Sequence, residues 1–318
     1  MEVDLRPATL EDAELVADLD TIRVPDDPHD AKMVAYWWTH SPSASTVMRL
    51  VGLRDGRAVI FIAAGHQPFQ EGARRYGFAR TSIHPDAWTL EMYRQGIATA
   101  EAWLRTATVE VATASLRASF VRELDALAGL GYREVRRERY WELDLVAHRT
   151  SLLAGAERSR AEMHGQGITL TTLERDDDPA TLHKVHELDL ETTQGIPTTV
   201  PIYQPPFDEW CRMYFENPGV RKDRFWIARL GDEVIGMSLI EYPPRRGIPS
   251  TEFTGTSPRF RGRGIARALK YQTVAQAIAL GAIRLRTDND SENAPILHLN
   301  AEMGYQAMTP HIQLHREL

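Results

Sequence analysis

The segment around Gly262 contains residue types that bind phosphate. Gly262 and Gly264 alternate with Arg261 and Arg263, and Arg259 lies just before them. Glycine allows backbone conformations and close approaches that a side chain would block, and an arginine guanidinium pairs with phosphate oxygens as a fork. A helix beginning at this point would add free N–H groups and the positive end of its dipole. The segment therefore predicts a diphosphate bound to backbone amides.

The elements around this segment are predicted to be a strand before it and a long helix after it. Residues 263–280 are rich in Ala, Leu, Gln and Ile at helical spacing, and Gly281 provides a stop signal. The pattern lacks the Gly-Lys-Ser/Thr of a P-loop and the G-x-G-x-x-G of dinucleotide-binding proteins. It is R-x-x-G-x-G, formed by Arg259, Gly262 and Gly264, and it is similar to the acyl-coenzyme A pyrophosphate loop of the GNAT acetyltransferase superfamily.

The sequence that follows continues this resemblance. Residues 283–287 alternate apolar and polar side chains as a strand does, and residues 288–293 are predicted to form a polar turn. A helix is predicted from Ala294 to Met303, with Gly304 as its stop. In order and spacing, residues 252–305 resemble the core of a GNAT domain.

The resemblance implies acetyl-coenzyme A as the co-substrate and no metal. In the family, a bulge in the strand at residues 254–256 separates it from the strand at residues 283–287, and the pantetheine arm lies in the gap like an extra strand. Asn293 stands where the family places an asparagine that contacts this arm, and Lys270 is predicted to be within reach of a phosphate. The predicted cofactor-binding residues are Thr254, Gly255, Thr256, Arg259, Phe260, Arg261, Gly262, Arg263, Gly264, Ile265, Ala266, Asn289, Asn293 and Asn300.

Acyl transfer to an amine needs a proton acceptor, and Glu252 is the predicted general base. It lies two residues before Thr254 and thus on the same face of the strand. Glu241 on the neighbouring strand is the reserve candidate, and for each a solvated surface carboxylate is the competing interpretation. Many GNAT enzymes have a tyrosine as general acid where this chain has Asn300. Either another group, Tyr305 or water, is therefore expected to protonate the thiolate, or this step needs no side chain.

The same order of elements occurs twice along the chain. In the first copy the Asp55-Gly56 hairpin and the strand at residues 75–83 are present, but His84-Pro85-Asp86-Ala87-Trp88 stands where the glycine turn would be. We therefore predict a degenerate GNAT-like domain at residues 1–147, a linker with some helical character at 148–166, and a catalytic GNAT domain at 167–318. The predicted fold class is α+β (an α/β sandwich), each domain having a mixed, mostly antiparallel sheet flanked by helices.

Composition restricts the partners that the chain is expected to have. The 318 residues are 43% hydrophobic and 25% charged with a net charge of -7, which is ordinary for a globular protein and gives no general attraction to nucleic acid. Cys211 is the only cysteine, so no intramolecular disulfide is expected. No signal peptide and no membrane span is predicted. We expect a cytoplasmic monomer or homodimer without nucleic-acid or membrane partners.

The leading hypothesis is a tandem GNAT N-acetyltransferase, with an architecture resembling that of mycothiol synthase. It is predicted to move an acetyl group to a primary amine of a small molecule by direct attack in a ternary complex. One alternative is a non-catalytic acyl-coenzyme A sensor, which the missing tyrosine would suit. Another is a protein N-terminal acetyltransferase, which the duplication disfavours because the extra half would enclose a small-molecule cleft.

Overall fold

The structure is a computed structural model, and it describes residues 3–40, 45–69, 72–176, 178–196, 198–290 and 294–318. The strands are β1 Leu5–Pro7, β2 Thr46–Arg54, β3 Arg57–His66, β4 Tyr76–Ile83, β5 Val111–Arg117, β6 Arg133–Asp144, β7 Ile168–Thr172, β8 Phe225–Leu230, β9 Glu233–Glu241, β10 Ser250–Thr256, β11 Arg284–Asp290, β12 Gln306–Ala307 and β13 His311–Glu317. The α-helices are α1 Ala13–Arg23, α2 Ala31–Thr39, α3 Leu90–Thr106, α4 Val121–Gly129, α5 Arg149–Gly165, α6 Pro179–Thr193, α7 Phe207–Phe215, α8 Ile265–Ala279 and α9 Ala294–Met303.

These strands form one mixed, mostly antiparallel sheet with helices on both faces, which confirms the predicted fold class. Its order is β1-β2-β3-β4-β5-β13-β6-β11-β10-β9-β8-β7, with β12 paired to β6. On β3, Ile60 and Ile62 pack with the core under α3, whereas Phe61 and Ala63 pack with the core under α1. Because side chains alternate along a strand, an almost continuous apolar sequence is what a strand covered on both faces requires.

The two halves of the chain exchange their last strands. The C-terminal strand β13 lies between β5 and β6 of the first half, and β6 pairs with β11 of the second half. The predicted boundaries at 147 and 167 therefore describe order along the chain rather than two bodies with separate sheets. This continuous sheet fixes the first half against the end of β11.

Residues 149–165, predicted as a linker with some helical character, form the single helix α5. Leu152, Ala156 and Met163 are buried on one side of it, and the first two belong to the same core as Tyr271 on α8. The helix packs so closely on α8 that a Cβ at Gly155 would lie 2.3 Å from the Tyr271 ring. This packing makes the segment part of the structure that supports α8.

The two halves repeat the same arrangement around a pair of parallel strands. β4 pairs with β5 only along Tyr76–Phe78, and β10 pairs with β11 only at Ser250 and Arg286, so each pair separates beyond its first contact. In the first half, a short 3-10 turn at Pro85–Ala87 and the Thr89 cap lead into α3. In the second half, the glycine turn leads into α8. None of the helices within the described ranges combines the length and apolar character needed to cross a bilayer.

Candidate active site

The glycine turn presents a row of backbone amides at the start of α8. Gly262 and Gly264 have φ angles of 78° and 82°, in the left-handed region that favours glycine, and Gly264 is the N-cap residue. Within the described chain, no carbonyl or side chain accepts a hydrogen bond from the backbone N–H groups of residues 262–266. The first N–H groups of a helix have no acceptor within the helix, and the exposed position of Gly262 and Gly264 leaves this end open to a ligand. The turn therefore has free N–H groups that can donate hydrogen bonds to the oxygens of a phosphate group.

Three arginines surround this turn with their charged ends exposed. Arg259 makes one ion pair, at 3.5 Å, with the exposed Glu233, and its side chain keeps 69% of its accessible surface. Arg263 donates to the Gln166 side chain at 3.1 Å, and its guanidinium lies 6.0 Å from the Phe260 ring. Surface ion pairs contribute little to stability, so these guanidinium groups can change partners at low cost. Their positions agree with the predicted diphosphate site.

A gap between β10 and β11 leads away from the turn. Beyond the single pairing at Ser250 and Arg286, the edge of β10 that faces β11 has no strand beside it in the described residues. Thr256, near the wide end, has a buried hydroxyl without a hydrogen-bond partner. Thr254 bonds across the other edge to Ser238 at 2.8 Å. An unpaired strand edge can bind an extended ligand such as a pantetheine arm by backbone hydrogen bonds.

The bulge in β10 lies earlier than the resemblance predicted. The register against β9 shifts between Thr251 and Phe253, which makes Glu252 the extra residue, whereas a bulge was predicted at residues 254–256. A bulge turns the local backbone and re-aims a side chain. Here Phe253 packs into the apolar core with α6 and α7, and Glu252 is exposed. The predicted position of the bulge was wrong. The bulge lies instead at Glu252, the predicted general base, and changes the direction of its side chain.

Glu252 belongs to a group of three carboxylates with Glu241 and Asp288. Burial, together with the charges of Glu241 and Asp288, raises the pKa of Glu252 to about 8. The side chain is nevertheless accessible to water, so it can exchange protons with solvent. Burial also raises the pKa of Glu241, which accepts a hydrogen bond from Asn217, and that of Asp288.

Asp288 was not predicted as a site residue. Residues 288–290 were assigned to a polar turn, but β11 continues through them because they pair with Tyr140, Arg139 and Glu138 of β6. This extension places Asp288 on the same strand face as Arg286 and brings its carboxylate near Glu252. The alternation of side chains at residues 284–288 could have indicated a longer strand. The strand that pairs with them, β6, lies in the other half of the chain, so the pairing could not be predicted locally.

Lys270 does not reach the phosphate site, so that prediction was wrong. Its side chain is buried under α9, where the ammonium group donates to Asn300 at 2.5 Å and lies 4.9 Å from the Tyr305 ring. Asn300 in turn donates to Asn289 at 2.6 Å. Asn289 and Asn300 thus take part in a buried polar chain, and their predicted contact with the cofactor stays a prediction. Asn293 lies outside the described residues.

The pKa of Lys270 gives a test of this buried chain. Burial lowers it from 10.5 to about 7, so between these values an unfolded chain binds more protons than the folded one. The unfolding free energy should therefore rise with pH across that window, by up to ~1.4 kcal/mol per pH unit from this group. Lys270→Met should lose this rise in urea denaturation measured between pH 7 and 9. The exposed Lys222→Met serves as the control, and parallel curves for wild type and Lys270→Met would refute the burial.

Tyr305 was one of the two groups expected to protonate the leaving thiolate. Its phenol is buried, and this burial raises its pKa. The side chain of Thr251 on β10 lies close enough to the phenol to oppose that rise. The hydroxyl is therefore protonated at neutral pH and lies beside the strand that borders the gap. Its assignment as the acid stays a prediction, with water as the alternative.

Comparison with known proteins identifies the class of this domain. The model of the acetyltransferase (GNAT) family matches residues 182–305. This range includes the glycine turn, β10, β11 and the three carboxylates Glu241, Glu252 and Asp288. The chain therefore carries a GNAT acetyltransferase domain and is an enzyme of the N-acetyltransferase class. Enzymes of this family take the acetyl group from acetyl-coenzyme A.

Solved structures resemble the chain over its whole length. A tandem GNAT protein from the clavulanic acid biosynthesis pathway superposes with a TM-score of 0.74 at 15% identity, covering 99% of this chain and 98% of that one. A GCN5-related N-acetyltransferase from Sphaerobacter thermophilus gives 0.65 at 18% identity, with 99% and 95% covered. At these identities the likeness shows the fold, and a tandem two-domain GNAT architecture fits it.

Proposed function

We propose that the second half of this chain transfers an acetyl group from acetyl-coenzyme A to a primary amine of a small molecule by direct attack in a ternary complex. The observation that carries this proposal is the set of free backbone amides at residues 262–266, placed at the wide end of the gap beside β10. Glu252 lies on that same strand, near the narrow end. The strand β10 thus connects the glycine turn to the carboxylate that is proposed as the general base.

The residues of the turn and the gap fit acetyl-coenzyme A. The amides of residues 262–266 and the guanidinium groups of Arg259, Arg261 and Arg263 would hold the diphosphate. The unpaired edge of β10 and the orphaned Thr256 hydroxyl would bind the pantetheine arm. When bound, the co-substrate supplies the acetyl group as a thioester that an uncharged amine can attack.

Glu252 supplies the proton acceptor in this proposal. An amine arrives mainly as its ammonium ion, so it must lose a proton before attack and another after it. A carboxylate with a pKa near 8 can accept such a proton, directly or through water, and the exposed position of Glu252 lets it pass the proton to solvent. Free N–H groups on the edge of β10 are positioned to stabilise the charge that develops on the carbonyl oxygen.

The contacts between the halves support a small acceptor. Asp30 accepts hydrogen bonds from the backbone N–H groups of Arg245 and Arg246, and Asp27 pairs with Arg286 at 2.8 Å. Asp27, Asp30 and Arg286 line the same cavity as Glu241 and Asp288. A concave site of this kind between the two halves is typical of sites that bind small molecules.

Release of free coenzyme A from acetyl-coenzyme A tests the proposal. The full chain is incubated with small amines, amino acids, aminoglycosides and peptides in turn, and the free thiol and the product mass are followed. Turnover with small amines is the expected result. Turnover with peptides alone would favour a protein acetyltransferase, and tight acetyl-coenzyme A binding without any turnover would favour a sensor.

A further inference from the structure

A cavity of about 480 Å³ lies between the two halves and ends at the carboxylate group. Its second-half wall includes Ser250, Thr287 and Asp288, at the point where β10 and β11 separate, together with Glu241. The first half supplies the opposite wall, mainly from α2. The volume is within the range of small-ligand sites, ~300–1,000 Å³. Its residues therefore define which acceptor fits, if the proposed transfer takes place here.

The positive charges that line the cavity are already neutralised. Arg80 forms an ion pair with Asp20. Arg117 pairs with both Asp26 and Asp27. Arg286 pairs with Asp27 and with Glu142, each at 2.8 Å. The two histidines of the lining are His29 and His311, and burial lowers the pKa of both. The pKa of His311 falls to about 4, so its ring is uncharged at neutral pH. A negatively charged ligand group would find no unpaired cation among these residues.

The negative charges of the cavity are not neutralised in the same way. Within the described chain, no lysine, arginine or histidine forms an ion pair with Glu241 or Asp288. The buried Lys270 is near enough for its charge to oppose the rise in the pKa of Asp288, but its ammonium group donates to Asn300 instead. Glu252 adds a third such carboxylate next to them. Grouped acids without a cation are costly to ionise, and an ammonium ion placed among them removes that cost. This end of the cavity therefore suits the amine of the acceptor.

The opposite wall is apolar and aromatic. It includes Met33, Trp37 and Trp38 of α2, and Phe61, whose ring stacks on Trp38 with centroids 5.6 Å apart. Tyr140 lies nearer the carboxylates and stacks on His311 at 4.2 Å. Flat aromatic surfaces favour ring-containing ligands by stacking and by removal of apolar area from water.

We infer that the acceptor is an amine whose ammonium group is its only charge and whose body is apolar and contains a ring. Free α-amino acids are rejected because their carboxylate would face Glu241 and Asp288 without a cation to pair with. This inference rests on the proposed function, because it names the substrate class of the same site. It assigns the specificity of the enzyme to the wall that the first half supplies.

Matched pairs of compounds test the inference. With the full chain and saturating acetyl-coenzyme A, kcat/KM is measured for phenethylamine against phenylalanine and for tryptamine against tryptophan. The decarboxylated compound should be preferred by at least ~100-fold in each pair, since opposed like charges cost several kcal/mol. A preference below ~10-fold in either pair overturns the inference.

Binding measurements separate this inference from the proposed function. If none of the four compounds releases coenzyme A, calorimetry with coenzyme A present compares phenethylamine and phenylalanine directly. Binding of phenethylamine alone would retain the ligand class while the transfer reaction fails. Binding of neither compound, or equal binding of both, overturns the ligand class.

Variants without the charges of Glu241 and Asp288 test whether these two residues cause the preference for the amine over the amino acid. The double variant Glu241→Gln, Asp288→Asn should reduce the preference for phenethylamine over phenylalanine at least ~10-fold, because the repelling charges are gone. It should fold, since glutamine and asparagine keep the size of the two side chains, and the amide oxygen of glutamine can still accept the hydrogen bond from Asn217. Asp232→Asn, on the exposed turn between β8 and β9, is the control and should leave the preference unchanged. An unchanged preference in the double variant contradicts the placement of the ammonium group.

Discussion

Replacing Gly262 with aspartate should weaken acetyl-coenzyme A binding at least ~100-fold. The position has a φ of 78° and open space around it, since no atom lies within 4 Å of where its Cβ would be. Aspartate tolerates left-handed backbone at modest cost, so the main effect is its charge. A carboxylate about 5 Å from the diphosphate costs ~3 kcal/mol at an effective dielectric constant of 20, which corresponds to more than 100-fold in Kd.

A matched control is available at the other end of the same helix. Gly281 follows the C-terminus of α8 with a φ of 82° and equally open space. Gly281→Asp therefore introduces the same side chain with similar backbone strain, far from the proposed phosphate site. Isothermal titration calorimetry with acetyl-coenzyme A should give wild-type affinity for this variant. If Gly262→Asp binds as tightly as Gly281→Asp, the diphosphate is bound elsewhere and the assignment of the turn fails.

The glycine turn and its helix could be predicted because their signals are local. Residues 263–280 have helical composition and spacing, and the helix occupies Ile265–Ala279, with Gly264 at its N-cap. Likewise, the helix predicted at Ala294–Met303 has those bounds in the structure. In both cases the start and stop residues are adjacent to the segment that they limit, so no distant contact is needed to place them.

Features that depend on distant pairing could not be predicted in this way. The continuation of β11 through Asp288 requires β6, and the place of β13 between β5 and β6 requires both halves to be folded together. The position of the bulge depends on the register of β10 against β9, which residue alternation does not reveal. The sequence thus indicated Glu252 and Glu241 singly, but it did not indicate Asp288 or the cavity that Glu241 and Asp288 line.

The fate of Lys270 follows from the same limitation. A lysine in a helix is usually solvent-exposed, and this one was expected to extend toward the phosphate site. In the structure its face of α8 is covered by α9, and Asn300 and the ring of Tyr305 accommodate the ammonium group. The asparagine that replaces the usual tyrosine therefore has a structural partner, which the sequence shows only once α8 and α9 are known to pack together.

Glu252→Gln should lower kcat/KM by ~100-fold or more at pH 9 while leaving acetyl-coenzyme A affinity unchanged. A positioned general base contributes ~100- to 10,000-fold in rate, and glutamine keeps the size of the side chain but cannot accept the proton. The side chain lies at the bulge near the start of β10, whereas the glycine turn follows the end of that strand. The contacts of the turn with the cofactor should therefore be preserved. Glu162→Gln, at an exposed position of α5, is the control for loss of a negative charge.

The pH dependence of this loss distinguishes a base from a structural residue. Because the pKa of Glu252 is raised to about 8, only about one-tenth of the free enzyme carries the carboxylate at pH 7. The ratio of wild-type to Glu252→Gln kcat/KM should therefore grow about tenfold per pH unit below 8 and level off above it. Ionisation of the amine affects both proteins equally and cancels in the ratio. A ratio that is constant from pH 6 to 9 would show that Glu252 does not accept the proton, and the base would then have to be sought in Glu241 or Asp288.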